Sequence, residues 1–277
     1  MIYRREAPAS ANADSQDDCS LISTKEPIII LVWTFPFGQL FPLNQCPQQF
    51  DGSGCFYTAD RTLYSSAHAV VLFHRDVYTS KKQLPQTPRP SNQRWVWFNN
   101  ESPSHCSNLA IMNNLINLTM SYRVDSDIFA PYGWIEQHNT TMNFTIPTKT
   151  RLAAWAITNW NPNSRRVKYY GELKNYLQID MYGYGRRNLP RNRQSEILST
   201  YKFYFAFENS IHVDYITEKL SLDKDEEKYK QYFNWRSEYY VPPQDNPWTV
   251  SYCRVCKALK EAPPYRTIAS IEKWFKD

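Results

Sequence analysis

Five short, unbroken runs, "IIILVW" (28–33), "AVVLF" (69–73), "RWVWF" (94–98), "LAAWAI" (152–157) and "FYFAF" (203–207), constrain the fold of this chain more than any other feature. They are continuous instead of alternating, which is the pattern of parallel strands covered on both faces. None is long enough to cross a bilayer, since the longest purely apolar runs, 28–33 and 152–157, have six residues each against the ~20 that a spanning helix needs. Between the runs lie helical patterns. Ser164 can cap a helix whose Val167, Tyr170, Leu173 and Leu177 share one face, and "QIDMY" (178–182) reads as a further strand. Strand, helix and strand in succession make βαβ units. A polar stretch, "HNTTMNFTIPTKTR" (138–151), marks a boundary. The expected architecture is α/β: two Rossmann-like, doubly wound domains, 27–150 and 151–277, facing a cleft. A polar segment, 1–26, is expected to be disordered in front of them.

Composition removes several function classes. With 7 glycines against 18 prolines, the 277 residues contain neither G-x-G-x-x-G nor G-x-x-x-x-G-K-[ST]. A bound phosphate must therefore be held by side chains and helix ends. The net charge of +5 is scattered, and the one concentrated basic patch, "GRRNLPRNR" (185–193), has no interleaved aromatics. It reads as a solvated loop, and no nucleic-acid partner is expected. The cysteines are Cys19, Cys46, Cys55, Cys106, Cys253 and Cys256. Cys253-x-x-Cys256 alone fits half a zinc site or a redox pair, but there is no second C-x-x-C. Sequons at Asn117, Asn139 and Asn143 favour glycosylation in an oxidising compartment. Residues 1–26 lack the apolar core of a signal peptide, so neither a leader nor an anchor is visible in the chain.

Ligands of open α/β sheets bind beyond the carboxyl ends of strands, and Glu208, Asn209 and Ser210 directly follow the run 203–207. Asp214 is placed to cap a helix, "YITEKL", on which Tyr215, Glu218 and Lys219 share a face. Such a helix start suits a pyrophosphate, and Glu218 can accept ribose hydroxyls.

Four blocks, "FENSIHVDYITEKL", "AITNWNPNSRRVKYY", "RWVWFNNESP" and "NLTMSYRVDSDIFAPYGWI", resemble those of the animal α1,3-fucosyltransferases of glycosyltransferase family 10, in the same order. The resemblance runs through 28–277. It implies a GT-B fold, GDP-fucose as donor, N-acetyllactosamine-type acceptors on glycoproteins or glycolipids, inversion at the anomeric carbon, and a membrane-anchored place on the lumenal face of the Golgi cisternae. Glu101 falls on the catalytic base. One carboxylate suffices, because the acceptor hydroxyl loses a proton while GDP leaves as a stable anion; a glycosidase needs two. Arg166 matches the arginine that grips the donor phosphates, with Arg165 beside it. Asn209, Tyr215, Glu218 and Lys219 complete the donor side, and Gln39, Arg75 and Tyr132 fall on acceptor positions. Arg75 stands where α1,4-competent relatives carry Trp, which implies an α1,3 linkage. Asn100-Glu-Ser is a fourth sequon, but a glycan there would obstruct the cleft.

No metal or other cofactor is implied, since GDP-fucose is a substrate and Asp125-Ser-Asp127 lies in a block that holds no metal in the family. The resemblance also implies bridges from Cys46 to Cys253 and from Cys55 to Cys256, and the loss of another, with Ala154 and Tyr201 at its positions. Relatives continue after "TEKL" for several dozen residues, whereas here Leu220 runs straight into "SLDKDEEKYKQYF". The donor domain is thus internally truncated at 220/221. Two readings follow: an α1,3-fucosyltransferase, or an inactive, glycan-binding product of such a gene. In the chain as written, one helix can restart at Asp223 or run unbroken from Asp214 to about Tyr232.

Overall fold

The computed structural model describes residues 26–47, 52–143, 145–183, 185–217, 235–242, 247–261 and 263–277. The segment 1–25, Cys19 within it, Glu218, Lys219, the 220/221 junction and the helix expected around Asp223 lie outside the described residues.

The chain divides into two compact units, 26–131 with 247–277, and 132–242. This partition differs from 27–150 and 151–277 at both ends. The first unit holds a six-stranded sheet, all parallel: β1 (Ile28–Val32), β2 (Cys55–Thr58), β3 (Ala69–Phe73), β4 (Arg94–Asn99), β5 (Leu118–Ser121) and β6 (Ile128–Phe129), in the order β2-β1-β3-β4-β5-β6. Every residue of β3 is buried, as an unbroken apolar run requires when both faces are covered. After β1 the chain places β2 on one side and β3 on the other, so the topological switch point lies between β1 and β3.

The short helix α1 (His74–Val77) follows β3 directly. The chain's last segment returns to this unit as two helices. Both faces of the sheet are therefore covered. One face packs Ile30, Val71, Val96 and Phe98 against Tyr252, Val255 and Cys256 of the helix Pro247–Lys260. On the other, Trp97 meets Phe275 of the helix Ile271–Lys276 at 5.0 Å between ring centroids.

Disulfides Cys46–Cys253 and Cys55–Cys256, the pairing that the resemblance implies, fasten Pro247–Lys260 to this unit. Tyr57 adds a buried polar contact: its hydroxyl donates to Tyr252 O (3.1 Å) and accepts from Cys256 N (3.3 Å), and burial pushes its pKa up. These covalent and packing ties explain why 247–277 groups with the first unit and not with the second.

In the second unit β8 (Arg151–Ala156) lies between β9 (Asp180–Tyr182) and β10 (Tyr201–Tyr204), again all parallel. Two further strands, β7 (Glu136–Gln137) and β11 (Tyr239–Tyr240), pair antiparallel. Helix α2 (Arg165–Leu173) is capped by Ser164 as expected, its Oγ accepting from Val167 N. Side chains of β8 alternate between two clusters, Ala154 with Tyr182, Leu198 and Tyr201, and Trp155 with Ile157, Val167 and Met181. Helix α3 (Gln194–Ser199) contributes Leu198, and α4 (Trp235–Glu238) is one turn; Pro247–Lys260 and Ile271–Lys276 are α5 and α6.

Ala154 and Tyr201 share one cluster. Tyr201 donates to Asp180 Oδ2 (2.6 Å) and lies 2.7 Å from the Tyr182 hydroxyl.

The strand "FYFAF" is shorter than the apolar run, because β10 ends at Tyr204; Phe205 N still donates to Ala154 O (2.9 Å) before the chain turns away. The helix expected from Asp214 is not seen among the described residues. Asp214 takes a left-handed conformation (φ 57°) and 215–217 are irregular. The competing interaction is clear: Glu208 accepts from both Thr217 N and Thr217 Oγ1 at 2.8 Å, a loop closure that replaces the helical turn.

Past β9, Gly183 (φ 118°) presses on the end of β8, where an added Cβ would lie 2.2 Å from Ile157 O. Both the backbone angle and the space demand glycine. Gly183→Ala is expected to cost about 2 kcal/mol or more, read as a lower urea midpoint; an unchanged midpoint would show that the loop relaxes freely.

Candidate active site

The carboxyl end of the first sheet gathers three of the sequence-predicted residues. Gln39 follows β1, Arg75 lies on α1 just after β3, and Glu101 stands two residues past β4. Gln39 is exposed at the exit of a tight turn, its N–H donating to Pro36 O (3.0 Å). Arg75 Nη1 meets Glu101 Oε1 at 3.1 Å, both partners reaching solvent. The sheet register makes this contact possible, because Phe73 and Phe98 are paired neighbours, which sets residues 75 and 101 side by side. Behind Glu101, Asn99 Nδ2 donates to its carbonyl (2.7 Å), fixing the backbone while the carboxylate stays accessible.

Sequence reasoning missed Phe37, whose ring lies 5.0 Å below the Arg75 guanidinium and packs on Phe73 (5.4 Å). Its backbone is left-handed (φ 56°), which is uncommon for an aromatic residue and marks the turn as held by its packing. No periodicity announces such a residue; the only signal is Pro36 and Gly38 on either side of it.

Cys106, a free thiol beside this rim, donates to Asn99 Oδ1 (3.4 Å), and burial pushes its pKa up to about 12. It is a neutral packing group there. Asn100 is buried, in line with discounting its sequon.

In the second unit Arg166 spans the switch point between β8 and β10. Its Nη1 donates to Phe207 O (3.1 Å) and its Nη2 to Asn159 O (2.6 Å), so it joins the two strand ends. Burial pulls its pKa below the ordinary arginine value, and the charge of Glu208 opposes that pull. Arg165 and Arg166 open α2, at the end where the helix dipole already disfavours cations, and its first turn holds no acid. That local conflict is the kind a bound anion resolves.

Asn209 lies past the end of β10 and accepts from Ser210 Oγ (2.9 Å). Tyr215 is buried and meets Tyr132 edge to face at 6.2 Å. A residue expected on the acceptor side thus touches one expected on the donor side, and Tyr132 packs with the second unit, not the first.

Other motifs resolve into structural contacts. Asp125 is held by Arg123 (2.8 and 2.9 Å), which keeps its carboxyl below the usual range, and Asp127 accepts from Thr119 N (2.8 Å) and pairs with Arg266. The two carboxylates of the D-S-D triplet are engaged by different partners. In the basic patch, Arg187 pairs with Asp180 (2.6 Å) and Arg193 with Glu196 (2.7 Å).

The sequon at Asn117 needs correction. Its side chain is fully buried and its Nδ2, the atom that would carry a glycan, donates to Arg266 O at 2.7 Å. Asn139 and Asn143 are exposed on an irregular stretch.

The family model "Fucosyltransferase, N-terminal" matches residues 25–133, and "Glycosyltransferase family 10 (fucosyltransferase) C-term" matches 146–222 and again 220–274. The chain belongs to glycosyltransferase family 10. Among its relatives in the family, a 4-galactosyl-N-acetylglucosaminide 3-alpha-L-fucosyltransferase of Homo sapiens is 40% identical over 299 residues, covering 89% of this chain and 82% of the relative. A 3-galactosyl-N-acetylglucosaminide 4-alpha-L-fucosyltransferase of Homo sapiens is 36% identical over 321 residues, covering 97% of this chain and 88% of the relative. One of Bos taurus with the same name is 40% identical over 304 residues, covering 90% and 82%.

The family 10 chain also departs from its relatives. The 299 aligned positions exceed the 89% of 277 residues that they cover by about fifty. A stretch present in these relatives is therefore absent from this chain, and the C-terminal family model matches in two pieces that meet at 220–222.

Proposed function

We propose that this chain is an inverting α1,3-fucosyltransferase with the two-domain GT-B arrangement, moving L-fucose from GDP-fucose to the N-acetylglucosamine of N-acetyllactosamine-type glycans. The observation that carries the reading is the rim of the first sheet, where Gln39, Arg75 and Glu101 follow three neighbouring strands and Arg75 contacts the Glu101 carboxylate. The relatives named as 3-fucosyltransferases support the linkage.

In this mechanism Glu101 takes the proton of the acceptor 3-hydroxyl as its oxygen bonds to C1 of fucose. The C1–O bond to GDP breaks on the opposite face, and its electron pair leaves with the diphosphate. Arg166 and Lys219 meet that charge, Asn209 and Tyr215 line the donor side, and Glu218 accepts the ribose hydroxyls. Gln39, Arg75 and Tyr132 receive the acceptor. We propose no metal requirement, so chelation by EDTA should leave the rate unchanged.

The two disulfides fit the lumen of the Golgi, and Asn139 and Asn143 would carry glycans there. No helix among the described residues is long and apolar enough to cross a membrane.

The omission at 220–222 favours a second reading, a glycan-binding protein without transfer activity. Incubation of the purified chain with labelled GDP-fucose and N-acetyllactosamine separates the two: labelled trisaccharide supports the enzyme, and glycan binding without product supports the alternative. Arg166→Ala should weaken GDP binding at least tenfold by calorimetry, with Arg166→Lys restoring only part, since a point charge does not reproduce the bidentate fork. Equal GDP affinity in both variants would remove Arg166 from the donor site.

A further inference from the structure

Two groups at the carboxyl ends of the second sheet have no part in the reading above. Trp160 lies four residues beyond β8. It packs against buried Trp155 (6.1 Å) and edge on to Tyr170 (5.8 Å), yet stays 38% exposed. Arg186, in the loop after β9, places its guanidinium 4.7 Å from the Trp160 ring centroid. Arg187 and Arg193 beside it are paired with acids, whereas Arg186 has no ion-pair partner among the described residues.

The loop that carries Arg186 is anchored to the strand that leads to Trp160. Gly183 N donates to Arg187 O (3.1 Å), Ile157 N donates to Tyr182 O (2.8 Å), and Gly183 leaves no space against Ile157 O. The residue before Trp160, Asn159, gives its carbonyl to Arg166. An exposed flat ring and a cation with no ion-pair partner among the described residues thus adjoin the arginine at the switch point.

We propose that Trp160 and Arg186 form the subsite for the guanine base of the donor nucleotide, the base stacking on the indole and Arg186 donating to its O6 and N7. The inference rests on the donor reading of the second unit and names the groups that select its base. A guanidinium fork matches two adjacent acceptors on guanine, while adenine presents a donor at one of those positions. Binding exchanges the cation now lying on the indole for the base, and moves the fork from ring face to base edge. Aromatic stacking supplies affinity for any base, and the fork supplies the choice among bases.

Calorimetry on the full chain with GDP, ADP and inorganic pyrophosphate tests this. The unaltered chain should prefer GDP to ADP. Arg186→Ala should lower that preference about tenfold without changing pyrophosphate affinity. Trp160→Ala should weaken GDP and ADP alike by about ten- to a hundredfold, and Trp160→Phe should recover most of the loss. Arg186 is exposed, so its variant keeps the test open if Trp160→Ala fails to fold. Unchanged GDP affinity and preference in Arg186→Ala and Trp160→Phe, with GDP still bound, would overturn the base subsite alone. Absence of GDP binding by the unaltered chain would overturn the donor reading and the subsite with it.

Discussion

Glu101→Gln should lower fucose transfer about 10²- to 10⁴-fold while GDP affinity stays the same, because the substitution removes only the proton acceptor. Gln keeps the size of Glu101, and its carbonyl oxygen can still accept from Arg75 Nη1, which now lies 3.1 Å from Oε1. The fixing bond from Asn99 Nδ2 goes to the backbone carbonyl of residue 101, so it survives the change. The loss should therefore appear in kcat, with the acceptor KM altered little and the unfolding midpoint unchanged. Glu101→Asp, which retains a carboxylate but shortens its reach, should fall between the two. Turnover equal to that of the unaltered chain would remove Glu101 from the mechanism, and a collapse of stability in Glu101→Gln would assign it a structural role.

How much of this was legible depended on whether the information was local. The strand 69–73 was read to the residue, because five consecutive apolar side chains admit few alternatives to a strand covered on both faces. The end of β10 was not. The same kind of run continues to Phe207, but Phe205 and Phe207 stack on each other at 5.2 Å and pack beside Trp155 after the ladder has ended. Apolar character reports burial and not hydrogen-bond pattern. Asp214 looked like a helix cap by composition, yet the carboxylate that decides the local structure is Glu208, nine residues from Thr217.

The site shows the same division. Glu101 stood in a recognisable block and Arg75 and Gln39 at positions that matched acceptor residues, but the Arg75–Glu101 contact spans 26 positions and follows from the pairing of β3 with β4. Asn117 carried a correct sequon, and only the fold shows its amide bound to Trp95 N and Arg266 O. Trp160 and Arg186 lie in different blocks, one recognised for its arginines and the other set aside as a solvated loop.

Removing both disulfides should destabilise the first unit by more than twice the cost of removing either pair, and the order of removal should not matter. Each bridge alone spans about 200 residues, Cys46 to Cys253 being separated by 207 and Cys55 to Cys256 by 201. In the chain-entropy argument a loop of that size is worth about 5 kcal/mol. The bridges interleave along the chain, however, with their ends close together at both sides. Once either is closed, the other completes a ring of only about a dozen residues, worth about 3 kcal/mol by the same relation. Cys46→Ala/Cys253→Ala and Cys55→Ala/Cys256→Ala should thus each cost about 3 kcal/mol, and the quadruple variant about 8, more than twice the cost of one pair.

A loss of that size is comparable with the whole stability of a domain. It would release α5 from β1 and β2 and expose Tyr252, Val255 and the Tyr57 hydroxyl contact that now lie in the core. Denaturant unfolding of the three variants checks the argument through its non-additivity. Costs for the two pairs that sum to the cost of the quadruple variant would show that the bridges act independently, as local clamps on α5, and that the closing of long loops is not what stabilises this unit.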